Sequence, residues 1–499
     1  MYFLKAEEIR SLDSAAIAGG TPGLVLMERA GYAAFRFLTD VFAPTSRRFL
    51  IFGGCGNNGG DAWAVARYLI QAGLHCDVAL LGTASKLKGD ALVQFQRLET
   101  LGQKIAGLKD PKEIAEYLSI WQGDVIVDGL TGTGFNGSAN ALLASAIISV
   151  NANPAKKLAL DVPSGLSADG SGSRLFIKAD WTVTFGQGKL ITLTEGDEHM
   201  GRTEIMDIGL PLPQNAGSPF CALSLKEARK LLPKPRNDSY KHKRGHLLLL
   251  AGAPKMGGAA LLAAKAASIG GAGLVTAVIP QELETAFNSA LPHILTLPLS
   301  GDLEDDLNKL ALLAENCTAA AAGPGLPDDE YHAAFLKALS GSPIKKQIWD
   351  AGALSIFARE RFAIPEDLEL VLTPHLGEFK RLMDYAPEQD DFARMKAAAE
   401  LCDEMNVTVL LKGHHTVVKA PQTLPAVNLT GNPYLSTAGT GDLLTGLTGA
   451  FLAQGLTGYE SAMLAAYYHG LAADLAIPYG GRTAEDFSLY LGRALSYDF

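Results

Sequence analysis

Short apolar runs, each separated from the next by room for one helix, restrict the fold of this 499-residue chain more than any other feature. From residue 48 they read "RFLIF", "CDVALLG", "DVIVDGL" and "KLALDVPSG". After a break they resume as "GHLLLLAG", "GLVTAVIP", "TAAAAGPG", "QIWDAGAL", "LELVLTPH" and "VTVLLKG". Between the first two runs, Trp63, Ala66, Leu69 and Ile70 share one face of a helix predicted over 61–72. Runs without polar alternation suit strands buried on both faces, and strand–helix alternation lays such strands parallel under two helical layers. The break, roughly residues 210–244, holds "LPLPQNAGSP" and "LPKPRNDSYKHKR" and reads as a connection. The expected class is α/β with two domains, 1–215 and 225–499, without internal repeats or low-complexity tracts.

Composition narrows the function. Hydrophobic residues make up 48% and charged residues 19%, which suits a soluble globular chain. A formal net charge of −10 argues against a non-specific nucleic-acid binder, because phosphate contacts demand a basic face. The five cysteines are scattered without a C-x-x-C, so neither a disulfide framework nor a zinc site is expected. The start, "MYFLKAEEIR", carries charges where a secretory signal would be apolar, and no apolar run is long enough to span a bilayer. A cytoplasmic protein with no membrane or nucleic-acid partner is the expectation, with a homo-oligomer as its state.

The first run leads into "FLIFGGCGNNGGDAW", where Gly54, Gly56 and Gly59 spell G-x-G-x-x-G. A nicotinamide dehydrogenase would also need an acidic residue at the end of the next strand for the ribose hydroxyls. That strand, "CDVALLGTAS", ends without one, and Asp77 stands at its beginning. No lysine follows the glycines, so the loop is not a Walker A motif either. Asn57, Asn58 and Asp61 stand among the glycines, a composition that lets backbone N–H groups approach a phosphate. "VDGLTGTGFNGS" places Asp128 and a polar turn after a second strand, and "ALDVPSG" places Asp161 and Ser164 after a third. Three polar strand ends of one parallel sheet converge on its carboxyl edge, where ligands bind.

A second constellation surrounds "STAGTGDLLTGLTGAFLAQG". Gly439, Gly441 and Asp442 open a predicted helix whose bare N–H groups can cradle a developing phosphate. A carboxylate there can take a proton from a substrate hydroxyl. Lys412 in "LLKGHHT" could grip nucleotide phosphates, while "AGAPKMGGAALLAA", "AAGPGL" and "LTPHLGEF" each supply a polar or glycine-rich strand end. His414 and His415 are expected on opposite faces of a strand, which argues against a metal site. His375 alone reads as a satisfied loop histidine.

"GNNGGD", "DGLTGTGF" and "DVPSG", over residues 5–210, closely resemble the epimerase half of the bifunctional NAD(P)H-hydrate repair enzymes, a Rossmann-like three-layer α/β/α sandwich. The resemblance implies interconversion of R and S hydrates of NADH or NADPH. It also implies a potassium ion among Asn58, Asp128 and Ser164. Substrate would be held by Asn57, Asn58, Gly59, Gly60 and Asp61, by Gly132, Thr133, Gly134, Phe135, Asn136, Gly137 and Ser138, and by Asp161. Asp161 is well placed to assist proton movement at the hydrated carbon. Ala62 departs from the family's usual glycine.

From residue 225 onward, "KMGGAA", "GPGL", "DAGAL", "TPHLGEF", "KGHHT" and "NPYLSTAGTGD" resemble the ADP-dependent hydrate dehydratase domain of the ribokinase-like superfamily. This implies that ADP phosphorylates the S-hydrate and that phosphate leaves, giving NAD(P)H and AMP, with magnesium accompanying the nucleotide. The implied hydrate contacts are Ala259, Ala260, Gly325, His375 and Asp442; the implied ADP contacts are Lys412, Gly413, His414, His415, Thr416 and Gly441. Two other readings stay open on the residues alone: a ribokinase-like small-molecule kinase fused to a nucleotide-binding domain, and a nucleotide-sensing protein.

Overall fold

The computed structural model describes residues 2–42, 48–167, 175–194, 199–211, 220–234, 244–388 and 390–497. The chain divides into two compact units, Met1–Ser218 and Pro219–Asp498. Residues 212–219 and 235–243 of the expected connection lie outside the described residues. Between them, Leu225–Leu231 forms a short helix started by a capping box of Ser224 and Glu227.

The strands of the first unit are β1 (Phe3–Leu4), β2 (Arg48–Gly53), β3 (His75–Leu81), β4 (Ile105–Leu108), β5 (Val125–Gly129), β6 (Lys156–Leu160), β7 (Trp181–Phe185), β8 (Gly188–Lys189) and β9 (Arg202–Met206). Seven of them form a parallel sheet in the order β4-β3-β2-β5-β6-β7-β9, and β1 pairs separately with β8. The order reverses between β2 and β5, so the carboxyl ends of those neighbours flank a crevice. Their register sets Phe52 opposite Asp128 and Gly53 opposite Gly129. Phe49 and Ile51 pack into one core with Trp63 and Val65, whereas Leu50 and Phe52 pack into another with Leu118 and Ile147. Both faces of β2 are therefore covered, as an unbroken apolar run requires.

The helix predicted over 61–72 spans Asn57–Gln71, so the asparagine–glycine segment is its first turn. Gly59 permits this early start. A Cβ there would stand 1.9 Å from the Gly54 carbonyl oxygen, and the helix could not approach the loop.

The second unit contains β10 (His246–Leu250), β11 (Leu274–Pro280), β12 (Leu295–Leu299), β13 (Ala319–Ala322), β14 (Lys346–Trp349), β15 (Glu369–Leu372), β16 (Thr408–Leu411), β17 (Val417–Lys419) and β18 (Ala426–Val427). They form one sheet ordered β12-β11-β10-β13-β14-β15-β16-β17-β18, parallel through β16 and antiparallel thereafter. The four alanines of β13 are all fully buried. The Thr440–Ala453 helix is buried from Leu443 to Ala453. Its Gly446 faces the Ala263 carbonyl so closely that a Cβ would lie 2.0 Å away, which accounts for the small residues in "LTGLTGAF".

Candidate functional site

In the first unit the three predicted strand ends meet at a cavity of about 600 Å³. Asn57, Asn58, Asp61, Gly132, Thr133, Gly134, Phe135 and Asp161 line it. Asn136, Gly137 and Ser138 are exposed beyond its lining. Gly59 and Gly60 are packing positions; a Cβ on Gly60 would meet the Met27 sulfur at 2.5 Å. Ala62 is buried on the sheet side, against Gly129, and its methyl does not narrow the cavity.

Asp161 follows β6 with φ 66°, a left-handed conformation that costs on the order of 1–3 kcal/mol for a non-glycine residue. Lys189, Thr133 and Thr184 hold its carboxylate, the Thr184 hydroxyl donating to Oδ1 at 3.4 Å. Lys189 Nζ lies 2.6 Å from Oδ1, and the Thr133 amide donates to Oδ2 at 3.0 Å, joined there by the Thr133 hydroxyl. Burial pushes this carboxyl up, but the Lys189 charge and these hydrogen bonds outweigh it and leave it below the usual range. Burial pushes Asp61 well above its usual value, and the charges of Asp161 and Asp13 add to the effect. Asp13, also in the lining, is raised by burial against the pull of Lys189. One cavity thus holds an ionised carboxylate beside carboxyls biased toward their protonated forms, the division of labour that acid–base chemistry needs.

Sequence reading missed Lys189 and Asp13. Lys189 is 1% exposed and stands in "FGQGKLI", where nothing local separates it from a surface lysine. Pairing of β1 with β8, Leu4 opposite Lys189, brings the amino-terminal segment to the site.

Deeper in the crevice, the Asn58 amide donates to the carbonyls of Thr131 (2.7 Å) and Leu160 (3.1 Å), while its buried Oδ1 has no partner among the described residues. Asp128 accepts from the Ser164 hydroxyl (2.6 Å), the Ser164 amide (2.8 Å) and the Leu130 amide (3.1 Å). Burial still lifts its carboxyl to about 6. No lysine or arginine pairs with it among the described residues. An orphaned amide oxygen beside a buried, oxygen-rich carboxylate fits a hard cation. Asp77, by contrast, is tied to Arg48 (2.7 Å) and Trp121 (2.9 Å) near the amino end of β3 and does not line the cavity.

In the second unit, the site residues again lie where the parallel strands end. Gly439 adopts φ 91° as the N-cap of the Thr440–Ala453 helix, which puts Asp442 in the first turn. Lys412, after β16, sets Nζ 2.7 Å from Asp350 Oδ1 and 3.7 Å from Glu378 Oε2. The Thr445 hydroxyl donates to Asp350 Oδ2 at 2.7 Å. Burial lifts Asp442 to about 7, the Asp350 charge adding to the rise and Lys412 opposing it. Gly325 adopts φ 69°, and a Cβ on it would stand 3.2 Å from that of Ala259, in the first turn of the Gly257–Ile269 helix with Ala260.

His375 caps the Leu376–Met383 helix: its Nδ1 accepts from the amides of Gly377 (2.9 Å) and Glu378 (3.2 Å), and the side chain is 55% exposed. Thr416 closes the turn after Lys412 by donating to the Gly413 carbonyl at 3.3 Å. The two adjacent histidines differ from expectation. They lie in this turn, not on a strand, and their ring centroids are 4.2 Å apart. His415 is buried with Asp391 and Arg394, directed away from the open turn. No group of three or more His, Cys, Asp or Glu placed to hold a metal ion occurs among the described residues. Asp350, Thr445 and His469 carried no assignment in the sequence reading. Burial drops His469 to about 4, so it is neutral beside the Thr440 backbone.

Comparison with known proteins agrees with this division. A family model described as NAD(P)H-hydrate dehydratase matches residues 247–489, and one described as YjeF-related protein N-terminus matches residues 23–191. The chain is 36% identical over 500 residues to a bifunctional NAD(P)H-hydrate repair enzyme of Moorella thermoacetica, covering 97% of this chain and 94% of that one. A protein of the same name from Pyrobaculum aerophilum is 34% identical over 91% of this chain and 90% of its own. Among solved structures, an ADP/ATP-dependent NAD(P)H-hydrate dehydratase from Bacillus subtilis, co-crystallised with ATP and Mg2+, matches at TM-score 0.50 and 29% identity, covering 55% of this chain and 98% of that one. A ribokinase-like superfamily protein from Enterococcus faecalis matches at TM-score 0.50 and 25% identity, covering 57% and 98%.

Proposed function

The chain belongs to the family of bifunctional NAD(P)H-hydrate repair enzymes, and on that premise we propose that each unit carries one of the two activities. The first unit interconverts the R and S hydrates of NADH and NADPH. The second dehydrates the S-hydrate at the expense of ADP, yielding NAD(P)H, AMP and phosphate. The observation that carries this reading is a pair of separate carboxylate sites, Asp161 with Lys189 in one unit and Asp442 beside Lys412 and Asp350 in the other.

In the epimerase cavity, the hydrated carbon bears a hydroxyl next to the ring nitrogen, which can expel it as water once protonated. Asp61, biased toward its protonated form, is suited to donate that proton, and ionised Asp161 to accept one from the returning water. Potassium fits Asn58, Asp128 and Ser164, because among the described residues Asn58 Oδ1 has no partner and Asp128 has no basic one. Its charge would offset pyrophosphate.

In the dehydratase site, Asp442 takes the hydroxyl proton as that oxygen attacks the terminal phosphorus of ADP. The new P–O bond forms as the bond to AMP breaks, and the helix N-terminus stabilises the transferring phosphoryl group. Phosphate then leaves the ring carbon with the C–O electron pair while the neighbouring carbon gives its proton to the departing phosphate, restoring the double bond. Magnesium accompanying the nucleotide would supply positive charge to its phosphates. Asp442→Ala should abolish dehydration and spare epimerisation, and Asp161→Ala should do the reverse. Retention of both activities in both variants overturns the assignment.

A further inference from the structure

Asp350 follows β14 as the N-cap of the Ala351–Glu360 helix, a buried carboxylate whose two oxygens bind different elements. Oδ1 takes Lys412 Nζ from the end of β16, and Oδ2 takes the Thr445 hydroxyl from the helix that begins with Asp442. Gly441, the residue before Asp442, lies over this pair: a Cβ there would stand 3.7 Å from Lys412 Nζ and 3.8 Å from Asp350 Oδ2.

Resting on the dehydratase reading above, we propose that Asp350 is a positioning residue for phosphoryl transfer, acting on Lys412 through the ion pair and on Asp442 through its charge. Two carboxylates in one partly dry site disfavour joint ionisation. Asp350 is committed to Lys412 and Thr445, so Asp442 bears the cost. Burial and this repulsion together bring Asp442 to about 7, where a general base accepts a proton most effectively. The other charged groups at the site do not replace Asp350. Lys412 acts in the opposite direction, Glu378 is engaged with that lysine and with the amide of His375, and His469 is neutral.

The test is the pH dependence of kcat for dehydration at saturating ADP, in the full chain, for wild type and Asp350→Asn. The acid limb should move down by about one pH unit in the variant, with a lower plateau, because Asp442 becomes a weaker base. A purely structural role lowers kcat without moving the limb, and that result overturns the proposal. Should Asp350→Asn not fold, the double variant Asp350→Asn/Lys412→Gln leaves no lone buried charge. Measured against Lys412→Gln alone, its limb must lie lower, because the two variants differ only in the Asp350 charge. An unmoved or raised limb overturns the proposal there too. Failure of the underlying reading looks different: an inactive wild type, or an Asp442→Asn variant that still dehydrates.

Discussion

Replacing Lys189 by methionine removes the cation that holds Asp161. The ammonium is 1% exposed, 2.6 Å from Asp161 Oδ1, and 2.9 Å from the Phe185 carbonyl, so its loss strands a carboxylate in a partly dry cavity. Removing one partner of a buried ion pair costs about 3–5 kcal/mol. Asp161 can reduce that cost only by taking up a proton. In the wild type its carboxyl lies below the usual value, so its contribution is present above the unfolded pKa and is lost as pH falls through the lower folded one. In the variant the sign reverses. The folded carboxyl rises above its unfolded value, the penalty is largest at neutral and alkaline pH, and stability recovers as pH falls toward the unfolded value. Tryptophan fluorescence during urea unfolding reads this out, since Trp63, Trp121 and Trp181 lie in the first unit and Trp349 in the second. Epimerisation should fall by two or more orders of magnitude, as expected when a catalytic base is mis-ionised, with dehydration of purified S-hydrate unchanged. Equal stability at neutral and mildly acidic pH, together with normal epimerisation, refutes the reasoning.

Asp442→Asn should stabilise the second unit above neutral pH, because the wild-type carboxyl, raised from 3.8 to about 7, must ionise there in an unfavourable site. The gain is on the order of 2 kcal/mol after allowance for partial exposure, read as a rise in Tm of the second unit that declines as pH falls below about 7 and is lost only near the ordinary carboxylate value of 3.8. Exchanging potassium for a bulky organic cation should slow epimerisation and leave dehydration alone. Asp128→Asn should lose that potassium response while keeping its fold, because the neutral amide removes the charge the ion balances. Gly59→Ala should unfold the first unit or cost more than about 3 kcal/mol, since its Cβ would stand 1.9 Å from the Gly54 carbonyl; circular dichroism and Tm check this.

Fold class was legible because both sheets are built from runs such as "RFLIF" and "GHLLLLAG", whose unbroken apolarity permits only doubly covered strands. The strands that escaped notice lack that mark. β4 "IAGL" is short with a central glycine, β9 "RTEIM" alternates with charge, and β17 and β18 together contribute only "VVK" and "AV". The helix start was placed four residues late, at 61, because asparagine and glycine have poor helix propensity; packing of Gly59 on Gly54 overrides it. Candidate-site residues on strand-end motifs stand together for the topological reason that brings the strand ends to one edge of each sheet. Lys189 and Asp13 were not legible, since one reaches the cavity through the β1–β8 pairing and the other from the amino-terminal helix. His415 shows the converse limit: a polar residue in a binding motif can serve the core, here against Asp391 and Arg394.

On this reading one chain holds both activities. The most direct measurement follows the absorbance of reduced nicotinamide when the enzyme is added to a mixed-epimer NADH hydrate with ADP, magnesium and potassium. Complete recovery of the signal is predicted, with AMP and phosphate formed in equal amounts. Recovery that stops at the S fraction contradicts the epimerase assignment, and a stable phosphorylated hydrate in place of NADH contradicts the dehydratase one.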